Sequence, residues 1–253
     1  MADITSYYQG NVEPSGKVNW RGDQVSVPQG GQSIYETSSV KLTDLGSRKV
    51  VGDRVFRYAQ AAGAIGAGDL AQYGGTQLIN VTAGDTNPAG GKIFTWYAAT
   101  TIGKDDYAEG YLISQSGTAA NMGFIYRVKS HDAIATTTKG DLTLYDELVR
   151  QPNTADKWSL HMNLYKNVTE MTAGTAPAVG VAPVAVTSGD YFWIQTWGPA
   201  CVKCAAVGVG QKVVAGDTGE VKAPVATTGA QVGYALQTLT ASERGLVFLT
   251  IAP

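Results

Sequence analysis

The chain has 253 residues, of which 44% are hydrophobic, only 16% are charged and 31 are glycine. Its net charge of −2, with 19 scattered Lys and Arg, offers no basic cluster for nucleic acid, and no apolar run reaches the ~20 residues of a membrane span. Low charge, abundant Gly, Ala, Thr and Val, and no long helical periodicity predict an all-β fold of one or two compact sandwich- or barrel-like modules.

In chain order, residues 1–30 are rich in Gly, Pro, Asn and Gln with little periodicity, and read as an extended N-terminal arm. Tyr7, Tyr8 and Trp20 argue against simple disorder, because large aromatic faces are usually buried, here by folding back or by reaching another copy. The N-terminus lacks the basic and apolar regions of a secretory signal, so synthesis in a cytoplasm is expected. A central β domain is expected over 31–171 and a C-terminal β module over 172–253, the latter able to pack with 31–82. Asp53–Ala59 alternates, with Val55, Arg57 and Ala59 on one face and Arg54, Phe56 and Tyr58 on the other, as in a strand with aromatics on one side.

Ala64-Ile65-Gly66-Ala67-Gly68 then finds an echo 142 residues later, in Ala206-Val207-Gly208-Val209-Gly210. Two copies are too few for a solenoid, and a match this short in a Gly/Ala-rich chain fits either chance or two strand–turn–strand units of similar geometry. Residues 83–91 read as a loop. Strands follow at Lys92–Tyr97, Tyr111–Ser114, Gly123–Ser130 and Leu142–Tyr145, with a helical turn expected over Asp146–Arg150. Asp156–Tyr165 fits either a strand or a helix, and 172–187 a loop or weakly paired strand. The most aromatic stretch, Ser188–Ala200, opens on a Gly turn and is expected to stop at Gly198-Pro199, since a proline cannot donate to a ladder. Gly245–Ile251 closes the chain as a buried-strand candidate.

No catalytic constellation emerges. Cys201 and Cys204 could be a redox pair or half a zinc site, but His131 and His161 are isolated and no βαβ context is present. Small apolar residues beside a turn are the better reading. The glycines of 63–68 lack the Lys-Ser/Thr of a phosphate loop and the helix of a dinucleotide fingerprint. Asp105, Asp106 and Glu109 lack a calcium-loop pattern, and His131-Asp132 has no nucleophile elbow to serve. No enzyme activity, cofactor or metal is therefore expected. Trp96, Trp158, Trp193 and Trp197 could line a sugar platform, although aromatics in strands more often serve core or subunit contacts.

Gly123–Ser130, Leu142–Val149, Leu164–Val168, Gly189–Gly198, Val232–Leu236 and Leu246–Ile251 together resemble virion structural proteins of tailed bacteriophages, in particular head decoration (cement) proteins. The likeness covers roughly residues 90–253. It implies a β-rich homotrimer on the capsid surface, with the major capsid protein and itself as partners and no nucleic acid, membrane or cofactor involved. Tyr7, Tyr8, Trp20, Trp193 and Trp197 are the expected interaction residues. The competing expectation is a host-surface glycan-recognition module of a tail or head fibre, which would need Trp96, Trp193 or Trp197 exposed.

Overall fold

The computed structural model describes residues 31–84, 87–117, 122–153, 155–172, 176–224 and 231–253, and the backbone alone of 17–20 and 23–26. The described residues form strands, turns and bends, with no helix. In chain order the strands are β1 (Lys17–Trp20), β2 (Asp23–Ser26), β3 (Thr37–Ser38), β4 (Arg48–Val51), β5 (Arg54–Gln60) and β6 (Leu70–Gln72). There follow β7 (Gln77–Thr82), β8 (Ile93–Tyr97), β9 (Tyr111–Ser116), β10 (Ile125–His131), β11 (Lys139–Leu144) and β12 (Lys157–His161). The last are β13 (Thr169–Glu170), β14 (Ala178–Val181), β15 (Tyr191–Cys204), β16 (Lys212–Ala215), β17 (Val221–Lys222), β18 (Gln231–Ala235) and β19 (Glu243–Thr250). The fold is all-β, as the composition predicts.

The chain divides into two compact units, residues 75–164 and the rest. These limits fall elsewhere than the boundary expected at 171/172, because β5 and β15 pair over Gln60–Val55 and Tyr191–Trp197 and so tie the first part of the chain to the last. The inner unit is a curled half-barrel sheet in the order β7-β12-β9-β10-β11-β8, whose edge strands meet at the Ala83–Trp96 bridge. Phe94, Trp96, Leu112, Tyr126, Leu142 and Trp158 fill its concave side. Tyr126 and Val128 point in while Ile125, Arg127 and Lys129 point out, the period-2 pattern of a one-sided sheet. The helical turn expected over Asp146–Arg150 is a run of bends instead. Leu148 is buried there and exchanges backbone bonds with Gly90 and Gly91, which holds the segment extended.

In the outer unit, β15, β17, β16, β18 and β19 form a closed five-strand barrel, sealed by the parallel pairing of Cys204 with Val221. The strand expected to stop at Gly198-Pro199 runs on to Cys204. It pairs with β5 over Tyr191–Trp197 and with β19 over Trp197–Cys204, so the proline falls where β5 has ended. Gly198 has φ +86°, and a Cβ there would collide with the Asp53 carbonyl oxygen. Glycine is what lets the strand change partners.

The short echo in the sequence marks a duplication of this whole barrel. β5, β13, β6, β14 and the first half of β15 repeat the ring, closed by the parallel bridge Ala61–Val168. Ile65 and Val186 exchange backbone bonds, as do Val207 and Leu239. Gly68 N–H donates to the Ala182 carbonyl at 2.7 Å, and Gly210 N–H to that of Ala235 at 2.8 Å. Ala62 donates to Val168 and Ala205 to Val221, both at 2.8 Å. In each Gly-x-Gly turn the second glycine takes positive φ, +81° at Gly68 and +75° at Gly210.

The two cores match position by position: Ala59 with Val202, Ala61 with Cys204, Ile65 with Val207, Ala71 with Val213, Val179 with Val232, and Ile194 with Val247. The offset is 142 residues from Ile65 to Val207 but 53 from Val186 to Leu239, so the first copy is longer by 89 residues. The difference is the curled sheet, inserted where the second copy has only Gly216–Glu220.

Candidate interaction surfaces

The duplication allows the outer faces of the two barrels to be compared residue by residue. On the first barrel, Phe56, Tyr58, Tyr191 and Trp193 point outward and are covered by the chain itself. Ile34 and Leu45 pack on them, β3 pairs with Tyr191 and Phe192, and β4 pairs with β5. Gln32 is the centre of this cover. Its carbonyl accepts from Trp193 Nε1 at 3.1 Å and from Lys49 Nζ at 2.8 Å, and its side chain bonds Tyr58 Oη and the Tyr191 carbonyl. Lys49 also lies over the Trp193 ring, 5.0 Å from its centroid. Burial lowers the pKa of this lysine, with the Glu36 charge opposing.

On the second barrel the equivalent positions are Pro199, Cys201, Arg244 and Leu246, and nothing among the described residues covers them as 31–51 covers the first. Cys201 and Leu246 face each other across β15 and β19, and Pro199 faces Phe248. Phe248 stacks on Tyr234, ring centroids 5.2 Å apart, and meets Trp197 edge-on. Leu236 and Leu246 are 39% and 41% exposed, so a run of apolar side chains stays open across three adjacent strands. A groove of about 160 Å³ borders it, lined by Tyr35, Pro183, Pro199, Cys201, Arg54 and Arg244. Gly245–Ile251 is thus buried on one side only. Val247 and Leu249 fill the barrel, whereas Leu246 and Phe248 point out.

The convex face of the inserted sheet is a second surface of similar character. Ile93, Tyr97, Tyr111 and Ile125 are exposed on it. Tyr111 is paired with Arg127, whose guanidinium lies 4.9 Å from the Tyr145 ring centroid. Lys139 lies over Tyr97 in the same way, at 5.6 Å.

Tyr7 and Tyr8 lie outside the described residues, as does the side chain of Trp20, whose backbone belongs to β1. Trp193 is 3% exposed and engaged within the molecule, so it has no face to offer a partner. Trp197 is half-buried at the edge of the open face. With Trp96 and Trp158 also buried, the four tryptophans form no sugar platform.

Among the described residues, no group of three or more His, Cys, Asp and Glu could hold a metal ion. His131 is a packing residue: its Nε2 accepts from the Tyr107 N–H at 3.0 Å, and its Nδ1 meets the Asp132 carbonyl at 2.8 Å. Asp105 and Asp106 accept from the His131 and Gly103 amides, closing a turn. Cys201 and Cys204 are free thiols on opposite faces of β15. The Cys204 thiol is inside the barrel, 3.3 Å from the carbonyls of Thr240 and Glu243. Burial raises its pKa, with Glu243 adding to the effect, which leaves it unreactive.

Sequence reasoning missed Leu236, Leu246 and Phe248. The signal was present in Leu246-Val247-Phe248-Leu249, because a strand apolar at every position has two apolar faces and a barrel has room for one. No protein-family model, no curated protein and no solved structure matches the chain.

Proposed function

We propose that the chain is a virion structural protein of a tailed bacteriophage, a head decoration (cement) protein that binds the assembled coat lattice and stabilises it. The observation that carries this reading is the convex face of the inserted sheet, with its exposed Ile93, Tyr97, Tyr111 and Ile125 interleaved with Arg127 and Lys139. Tyrosine and arginine around an apolar patch are the residue types that dominate protein–protein contacts. Low overall charge suits a large, permanent interface.

The mechanism is linkage. A protein that binds the lattice and not free coat subunits shifts the equilibrium toward the lattice, by an amount set by its concentration relative to its Kd. Seats on a symmetric shell are matched by a cyclic oligomer, here a homotrimer. The major capsid protein and neighbouring copies of this chain are the partners.

The test mixes purified protein with phage heads that lack it. Saturable uptake and a higher disruption temperature of the heads support the reading, and a Tyr97→Ala/Ile125→Asp variant takes up fewer sites while keeping its own melting temperature. Heads that neither take up the protein nor gain heat resistance would rule it out.

A further inference from the structure

The two barrels share one design, yet only one has its outer face closed. In the first, the cover comes from the segment directly before it in sequence, since β4 turns at Gly52-Asp53 into β5. The second cannot be covered by that route. The residues preceding Trp197 are the first half of β15, and they already form a wall of the first barrel. Its Trp197, Pro199, Cys201, Leu246, Phe248, Tyr234 and the groove beside them therefore need cover from elsewhere.

We infer that this face receives the N-terminal stretch, residues 1–16, of a second copy of the chain. Three observations support that occupant. Residues 1–30 lead directly into Gln32, the centre of the cover on the first barrel, so the chain already uses this end to close an equivalent face. Residues 1–16 contain Ile4, Tyr7, Tyr8 and Val12, apolar and aromatic anchors in a polar segment, which an open strip on three strands can take up. Their charged side chains are Asp3 and Glu13, with no Lys or Arg, whereas the groove is flanked by the guanidinium of Arg54 and by that of Arg244, which also pairs with Asp69 at 3.6 Å.

A second copy is the natural donor. Within one molecule, the β1–β2 hairpin separates residues 1–16 from Gly31, and β2 runs beside β4, over the barrel that is already covered. The first sixteen residues thus enter over the covered barrel, whose Tyr35 borders the groove, and concentration dependence separates closure within one copy from exchange between two. Exchange of arms between copies would bury the strip and set the oligomer. This inference does not depend on the capsid reading.

Cys201 sits in the strip and reports on it, because it is exposed in the single chain whereas Cys204 is buried. The experiment follows the rate at which a maleimide modifies Cys201, alongside light-scattering mass, in the full chain over a range of concentrations and in a chain lacking residues 1–16. In the full chain at high concentration, an oligomer with Cys201 slowed at least about tenfold is expected, given how strongly burial suppresses thiol reactivity. Dilution restores the free rate. The truncated chain is monomeric and fast at every concentration, and a synthetic peptide of residues 1–16 slows it again, whereas a Tyr7→Ala/Tyr8→Ala peptide does not.

Equal rates in the full and truncated chains would overturn the inference. So would slowing that is independent of concentration, which places the arm on its own barrel, or slowing that survives truncation, which assigns the face to another surface of the copy. Slowing only after phage heads are added would assign it to the coat protein. Head binding of the truncated chain is scored separately, so failure of arm exchange and failure of the capsid reading are distinguishable.

Discussion

Phe192 and Gly245 occupy the same place in two barrels of one design, and the space given up at Gly245 is filled by Leu239. Leu239 itself stands where the first barrel has the smaller Val186. A Cβ on Gly245 would collide with Leu239 Cδ2. Around the exchange, Ala59 and Ala61 in the first barrel become Val202 and Cys204 in the second. Large and small residues thus trade walls between the two cores, the kind of change that packed interiors tolerate.

The first prediction follows from this compensation. Phe192→Ala removes a fully buried ring whose neighbours Ala59 and Ala61 are too small to close the gap, and is expected to cost about 3–5 kcal/mol. Leu239→Val removes a single methylene from the space beside Gly245 and is expected to cost only about 1 kcal/mol. Denaturant unfolding of the two variants beside the parent measures both, and equal losses would show that the barrels are not packed as described.

A second prediction concerns Gly180 and Gly233, equivalent residues at which a Cβ would strike the backbone carbonyl oxygens of Gln195 and Phe248. Alanine at either site is expected to destabilise by about 1–3 kcal/mol, because a backbone atom cannot move aside as a side-chain end can. Gly63→Ala, where the space is open and φ is not positive, serves as the control and should change stability little.

A third prediction tests the inserted sheet. The second barrel passes from β16 to β17 through Gly216–Glu220 alone. Replacing residues 74–167 with that five-residue loop is expected to leave a chain that melts cooperatively with a β-sheet circular dichroism spectrum and keeps Cys204 unreactive. A molten product with two reactive thiols would mean that the first barrel needs its insertion.

The fourth prediction is a pH dependence. Burial raises the pKa of Cys204 above the ordinary thiol value of 9.0, and that of Tyr58 above 10.0, although the Leu42 N–H bond to the Tyr58 hydroxyl opposes the second shift. Both groups bind protons more tightly folded than unfolded. Their stabilisation is complete below the unfolded pKa values and is lost as pH rises through the folded ones, so stability should decline from about pH 9 upward. Cys204→Val is expected to remove the earlier part of the decline and Tyr58→Phe to lessen the later part, to which buried Tyr107 adds and which Lys49, lowered by burial, opposes, as followed by urea unfolding at a series of alkaline pH values.

The fifth prediction assigns His131 to packing. Its ring accepts from the Tyr107 amide and bonds the Asp132 carbonyl, and it is 4% exposed. His131→Ala leaves buried backbone groups unpaired and is expected to destabilise by about 1–3 kcal/mol per group, with head uptake per folded molecule unchanged. Loss of uptake at unchanged stability would give the histidine a direct role.

Much of the fold was legible in the sequence, because strands announce themselves by alternation and glycine turns. The Ala-x-Gly-x-Gly echo was also visible, since glycine meets the positive φ at Gly68 and Gly210 most readily. The full duplication was not. Its walls have exchanged Phe56 for Pro199, Tyr58 for Cys201 and Trp193 for Leu246, and the 89-residue insertion changes the offset midway. At these positions the face that the chain covers carries large aromatics, and the open face carries Pro199, Cys201 and Leu246. Which aromatics lie outside could not be read, because Trp193 and Trp197 stand on one strand and differ only in what Gln32 and Lys49 reach.

The continuity of β15 sets an order of events during synthesis. β5 leaves the ribosome early, but its partner Tyr191–Trp197 emerges more than a hundred residues later, after the inserted sheet has been made in full. The nascent chain must therefore hold Ala59 and Ala61, the barrel-facing residues at the end of β5, without their partner strand while Gly75–Leu164 condenses. A stall anywhere between those points would release a polypeptide with one finished sheet and a sticky, half-made barrel, the species a chaperone would be expected to meet.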